Sequence, residues 1–221
     1  IGGSTNLGQS WRIKINSIAT FKLKDGTSMG ADTNSVTLGT SIYALDGYNG
    51  EELNGGDPSC DNCYIDLPEP PVTGYENENN FIRFYFPHDD TYEWDEWGSK
   101  FNFDIDPYFD RDIRNNDYQS LFAEEKGINW FAIIEPTLIE GTFETKLDSI
   151  YFQVSHLEGI KCSQIKIALD REKEDVVNNF DYVIENNQLG IKVDTEKSFS
   201  VLINVSNICI QEFGESCPDE Y

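Results

Sequence analysis

Apolar residues recur at every second position over much of this chain, a period that fits a pleated strand with one buried face rather than an amphipathic helix. Trp11, Ile13 and Ile15 alternate with Arg12, Lys14 and Asn16. The phase slips before Phe21 and Leu23, which predicts a bulge or bend near Ser17 to Thr20. Lys24-Asp25-Gly26-Thr27 then reads as a turn. Residues 81–86, FIRFYF, predict a half-buried aromatic strand stopped by Pro87. Phe101, Phe103 and Ile105 alternate with polar neighbours until Pro107 ends that run. From Ile128 the strand signals resume as INWFAII, SIYFQV, SQIKIAL, FDYVI, LGIKV and FSVLINV, with turn-rich spacers such as Glu185-Asn186-Asn187. Short helices are expected only between Asp110 and Lys126, where good formers cluster ahead of a Gly127 stop.

About ten strands with short spacers predict an all-β fold. The specific expectation is an antiparallel β-sandwich, immunoglobulin-like or jelly-roll-like, with long acidic loops and at most one or two short helices. Ile165, Ile167 and Leu169 share one strand face, and Phe199, Val201, Ile203 and Val205 share another, as in antiparallel sheets with one solvated side. Residues 1–10 read as an N-terminal extension and 11–221 as the sandwich, with the Glu140-Gly141-Thr142 turn, near 141, the best candidate for an internal boundary.

Charge narrows the partners. Forty acids against sixteen bases give the 221 residues a net charge of −24. Binding nucleic acid or an anionic membrane needs Lys and Arg to displace counterions, so both are excluded as expected partners. Cations, neutral glycans and other proteins remain. No run of 18 apolar residues exists, so no membrane span is expected. The opening IGGSTNLGQSW lacks Met, a basic region and an apolar run, as expected of a chain whose targeting peptide has been removed.

The five cysteines, Cys60, Cys63, Cys162, Cys209 and Cys217, allow at most two internal bridges. Cys60 and Cys63 enclose only Asp61 and Asn62, after GGDPS and with no helix signal, so a loop staple is expected rather than a redox site. A zinc site would need further soft ligands. A second bridge is expected between Cys162 and either Cys209 or Cys217.

No residue is assigned to catalysis and no organic cofactor is expected. A nucleophilic triad needs an imidazole, and the two available, His88 and His156, sit at strand ends where satisfying loop groups is the simpler role. No Gly-x-Ser-x-Gly surrounds a serine, no glycine-rich phosphate loop precedes a helix, and forty acids make paired carboxylates uninformative. Calcium is the candidate cofactor, with a plain solvated acidic face as the alternative. Between residues 86 and 117 ten acids face three bases, and hard cations take six to eight oxygen ligands from such loops. Asp89, Asp90, Asp104, Asp106, Asp110 and Asp112 are the candidate ligands. Tyr92, Trp94, Trp97 and Tyr108, with Tyr85 and Tyr118 nearby, form a candidate sugar-stacking platform, and Asn204-Val205-Ser206 is a glycosylation sequon read on the polar side of the last strand.

Trp11 at the head of the first strand is followed in order by Leu38-Gly39-Thr40, Ala44-Leu45-Asp46-Gly47-Tyr48, Leu67-Pro68 with Pro70-Pro71, Phe86-Pro87-His88 and the run from Asp110 to Arg114. That order resembles a secreted β-sandwich surface module of Bacteroidetes-type proteins exported by the type IX secretion system, and residues 165–169 and 199–204 are similar to its closing strands. The resemblance implies an extracellular, cell-surface address and little specific chemistry. The expected function is a non-enzymatic structural or interaction protein, a self-assembling surface or filament subunit that pairs through sheet edges. Ile1, Gly2, Gly3 and Leu7 lie in the polar segment expected to reach a neighbour, so the partners are other copies of the chain, as a homo-oligomer or filament, or other surface proteins. The alternative is a glycan-binding module built on the aromatic and acidic loops.

Overall fold

A computed structural model describes residues 11–41, 80–87, 108–115, 127–138, 145–157, 159–170 and 181–210. Eleven strands run through them, and no helix forms among the described residues. One sheet contains β1 (Trp11–Leu23), β2 (Ser28–Ser41), β5 (Arg111–Asn115), β7 (Thr145–His156) and β10 (Gln188–Thr195), in the spatial order β10-β7-β1-β2-β5. The other contains β3 (Phe81–Pro87), β4 (Tyr108–Phe109), β6 (Ile128–Thr137), β8 (Ile160–Asp170), β9 (Tyr182–Val183) and β11 (Phe199–Ile210), in the order β4-β3-β6-β11-β8-β9.

The two sheets share one apolar cluster, which makes the arrangement sandwich-like. It draws on Trp11, Ile13, Ile15 and Phe21 of β1, Phe84 and Phe86 of β3, Trp130 of β6, Phe152 of β7, and Val201, Ile203 and Val205 of β11. Rings meet across the layers: Trp11 packs edge-on to Trp130 with centroids 5.9 Å apart, and Phe84 lies 6.1 Å from Phe152. The cluster holds residues from both sides of the Glu140-Gly141-Thr142 turn, which itself lies outside the described residues, as does the run from Phe101 to Ile105.

Three expectations need correction. Arg111–Asn115, read above as the start of a helical stretch, is a strand. It pairs in parallel with β2, Leu38 opposite Asp112 and Thr40 opposite Arg114. Ladder bonds and burial there override local helix propensity, which is a weak prior, and the pair departs from the antiparallel pattern of all the others. Residues 116–126 lie outside the described residues. The second correction concerns β1, in which every odd position from Trp11 to Phe21 is buried, so the strand keeps its phase. Ser17 takes an inward position that an apolar residue would normally fill, and its hydroxyl is satisfied by donating to the Asn34 carbonyl at 3.0 Å. The expected irregularity is there as a register shift at Thr20, where β7 inserts Asp148 between the partners of Thr20 and Phe21. The third concerns Asn204, described with the site below.

Two turns behave as their residues require. Gly26 adopts φ +91°, and Thr27 N–H donates to the Asp25 carboxylate at 2.9 Å. Asn186 and Asn187 sit at φ 51° and 61°, the pair of left-handed residues that a type I′ turn demands, closed by Gln188 N–H on Glu185 O at 2.9 Å. This turn carries the chain from β9 in one sheet to β10 in the other.

β10 has its own register shift between Lys192 and Thr195, opposite the one in β7, with Asp194 at φ 50°. The aligned irregularities gather a small ion network: Lys22 holds Asp148 and lies 3.0 Å from Asp194, which also takes Lys146 at 2.8 Å. Hydrogen bonds from Lys146 and Lys22 pull the Asp194 carboxyl down to about 2. A carboxylate whose folded value lies below its unfolded 3.8 adds stability that is fully present above the unfolded value and is lost as pH falls through the folded one. Asp194→Asn, a residue that tolerates the left-handed backbone, is therefore expected to melt below the parent at pH 6, with the gap closing by pH 2. A gap of equal size at both pH values would mean that the carboxylate charge contributes nothing.

Candidate functional site

The stretch from Tyr108 to Asn115 changes sheets. Tyr108 and Phe109 pair with Pro87 and Phe86 of β3, the chain bends at Asp110, and Arg111 onward pairs with β2. Thr37 N–H donates to Asp110 O at 2.8 Å and fixes the bend. This corner holds the two described members of the expected calcium set.

Asp112 is 2% exposed, and its Oδ2 takes both Nε and Nη2 of Arg114, at 3.2 and 3.0 Å. Residues two apart on a strand share a face, which is what lets Arg114 reach back. Arg114 also donates Nη1–H to Asn129 O of β6 at 2.8 Å and lies 5.1 Å above the Trp130 ring. One guanidinium thus neutralises a buried acid, ties the two sheets together and covers an indole. Asp110 is half-buried and its Oδ1 has no hydrogen-bond partner among the described residues. Burial pushes its carboxyl up, while Arg111 and Lys14 pull it down by a smaller amount. Both described acids therefore stand among cations, and no group of three or more His, Cys, Asp or Glu side chains gathers among the described residues. Asp89, Asp90, Asp104 and Asp106 lie outside the described residues.

Next to this corner, three buried polar atoms lack a hydrogen-bond partner among the described residues: Trp11 Nε1, Thr40 Oγ1 and Trp130 Nε1. Trp11 pairs with Thr40, and Thr40 with Arg114, so all lie at one end of the molecule. Two indole N–H groups and a hydroxyl favour a hydrogen-bond acceptor such as a carbonyl oxygen, not a cation. Sequence reasoning singled out Trp11 only as the opening of a strand, and it missed Trp130 and the pairing of Asp112 with Arg114. The available signal was the spacing of two opposite charges on one strand face, and a helical reading of residues 110–126 hides it, since i and i+2 do not face each other on a helix.

The other candidates scatter. His156 Nε2 lies 3.1 Å from Ser163 Oγ across the β7–β8 connection, and burial pushes its imidazole below the usual value. Its partner is a side chain of β8 and not the loop group expected of it. His88 lies outside the described residues. Tyr85, from the aromatic group, is 4% exposed, donates its hydroxyl to Glu135 at 3.0 Å and lies under Arg83, so it is a packed anchor and not an open ring. The backbone of Tyr108 is at the β4 edge, while Tyr92, Trp94, Trp97 and Tyr118 lie outside the described residues. Asn204 is 3% exposed in the interior strand β11, and its amide nitrogen donates to Asn129 Oδ1 at 2.7 Å. Asn204 does lie on the face turned from Ile203 and Val205, opposite exposed Asn129, but its own amide is buried and engaged, unlike that of an accessible sequon. Cys60, Cys63, Ile1, Gly2, Gly3 and Leu7 lie outside the described residues. No helix among the described residues is long and apolar enough to cross a membrane.

Comparison with protein-family models, with curated proteins and with solved structures finds no match.

Proposed function

We propose that the chain is a non-enzymatic structural or interaction protein of the cell exterior, an immunoglobulin-like or jelly-roll-like module that associates with its own copies through sheet edges. The observation that carries this reading is a mismatch of strand lengths in the six-stranded sheet. Among the described residues, β9 pairs at one edge with two residues of β8, Lys166 and Ile167, although β8 runs from Ile160 to Asp170. At the other, again among the described residues, β4 pairs with two residues of β3. A long strand beside a short one offers ladder groups that a further strand can complete. The long edge of the other sheet is defended by contrast. β10 carries exposed Lys192 and the left-handed Asp194, devices that discourage edge pairing.

The N-terminal segment is the proposed donor. β1 begins at Trp11, and Leu157 N–H donates to Arg12 O at 3.0 Å, so the start of β1 lies beside the β7–β8 connection, at the Ile160 end of β8. In this reading Ile1, Gly2, Gly3 and Leu7 lie on the edge of a neighbouring copy. A charge of −24 opposes that approach, so association depends on calcium, held by the acids from Asp89 to Asp112, or on salt, which limits charge repulsion to about 8 Å at physiological ionic strength.

Sedimentation of the full chain and of a chain lacking residues 1–9, each with calcium, with chelator and with 0.15 M salt, tests both parts. The full chain is expected to form large species in calcium and salt, and the shortened chain to remain folded and monomeric. Equal assembly by both would remove the N-terminal donor. A full chain that stays monomeric throughout but is retained on a glycan array would favour the sugar-binding reading through Tyr92, Trp94, Trp97 and Tyr108.

A further inference from the structure

The ladder between β11 and β8 keeps one register from Ser200 opposite Asp170 to Ser206 opposite Gln164, and returns to the same register at Ile210 opposite Ile160. It departs at a single pair. Continued without interruption, it would set Ile208 against Cys162 and Cys209 against Lys161. Instead β11 takes one extra residue after Ser206, β8 takes one after the next pair, and Cys209 stands directly opposite Cys162. Two opposed irregularities in consecutive steps disrupt the ladder twice, and their joint result is to align the two cysteines. Bulges re-aim residues in this way.

We infer that Cys162 and Cys209 form a cross-strand disulfide that clamps β8 to β11 at this end of the six-stranded sheet. Directly opposed residues of an antiparallel pair have Cα atoms about 4.5–5.5 Å apart, inside the range of about 4.4–6.8 Å that a disulfide spans. In the uninterrupted register the two positions would be one residue out of step and so on opposite faces of the pleat, where no bridge forms. The same alignment decides between the two partners open to Cys162 on sequence grounds, and selects Cys209 over Cys217.

Closing the bond removes two electrons and two protons from the thiols, and a small disulfide such as oxidised glutathione accepts them. One cysteine thiolate attacks it and releases one reduced glutathione. The second thiolate attacks the mixed disulfide and releases another. The bridge encloses residues 163–208, 46 in number, a loop long enough for the clamp to matter in the unfolded chain.

The test uses the full chain, oxidised in its folded state with a mixture of oxidised and reduced glutathione, alkylated, digested without reduction and read by mass spectrometry. A linked peptide pair containing Cys162 and Cys209 is expected, at much higher yield than when oxidation is done in denaturant. Reduction should then lower the melting midpoint by roughly 8 °C or more, given about 2–4 °C per kcal/mol for a chain of this size. Cys217→Ser should keep that drop and Cys209→Ser should lose it. Recovery of Cys162 linked to Cys217, or of Cys162 and Cys209 both alkylated as free thiols after folded-state oxidation, overturns the inference whether or not either variant folds.

Discussion

Gly39→Ala is expected to destabilise the protein by at least about 3 kcal/mol, whereas Gly190→Ala in the same sheet changes stability by less than about 1 kcal/mol. Gly39 stands opposite Arg12, and a β-carbon built there would overlap the Trp11 carbonyl oxygen and lie 3.0 Å from Arg12 Cα and 3.1 Å from the Trp11 carbonyl carbon. Every one of these neighbours is backbone. A flexible side chain would swing aside, but here β1 must move, and Trp11 is a fully buried residue packed against Trp130. The usual cost of overpacking is about 1–3 kcal/mol, and a clash with a ladder strand under a buried tryptophan belongs at or above its top. At Gly190 the nearest atom to a new β-carbon is the Tyr151 ring at 3.6 Å, ordinary contact, so alanine there mainly reduces the freedom of the unfolded chain. Urea midpoints of the two variants against the parent measure the contrast. Equal and small losses would mean that β1 shifts freely at Trp11, contrary to its burial.

That glycine sits in Leu38-Gly39-Thr40, one of the pieces on which a family likeness was read, and the structure gives the triplet a physical content. Leu38 fills the core, Gly39 lets β1 approach and Thr40 is buried between Trp11 and Arg114. The strands from Ile128 onward were legible because each buries one face, so their period of two survives in the sequence. β6, β8 and β11 fall where the alternation put them. What was not legible depended on partners far away in the chain. The strand character of Arg111–Asn115 comes from β2, about seventy residues earlier, and its own residues carry no β alternation. Asn204 looked outward because alternation tells inside from outside only for the face toward the core. Its own amide is nonetheless buried and bonded to Asn129 on the neighbouring strand, which alternation does not report. The candidate acids were visible as composition, but composition does not report that Asp112 has its cation two residues away.

That pairing supports the other large effect. Arg114→Met is expected to cost about 3–5 kcal/mol, because it leaves Asp112, 2% exposed, as a buried acid without its counter-ion. Methionine keeps much of the apolar stem over the Trp130 ring, so most of the loss should come from charge and hydrogen bonding rather than from packing. Asp112→Leu combined with Arg114→Met removes both charges from the same corner. A buried pair replaced by apolar groups of similar volume is often neutral or stabilising, so the double variant should recover most of what the single variant loses. The same series reports on the corner's role. If the acids from Asp89 to Asp112 hold calcium, Arg114→Met frees one carboxylate for the ion, and calcium should raise the melting midpoint of that variant more than that of the parent. A single variant no less stable than the double one would show that Arg114 does not neutralise Asp112. An Arg114→Met protein that gains no more from calcium than the parent would separate Asp112 from the proposed ligands and leave its pairing with Arg114 as a purely structural tie between the two sheets.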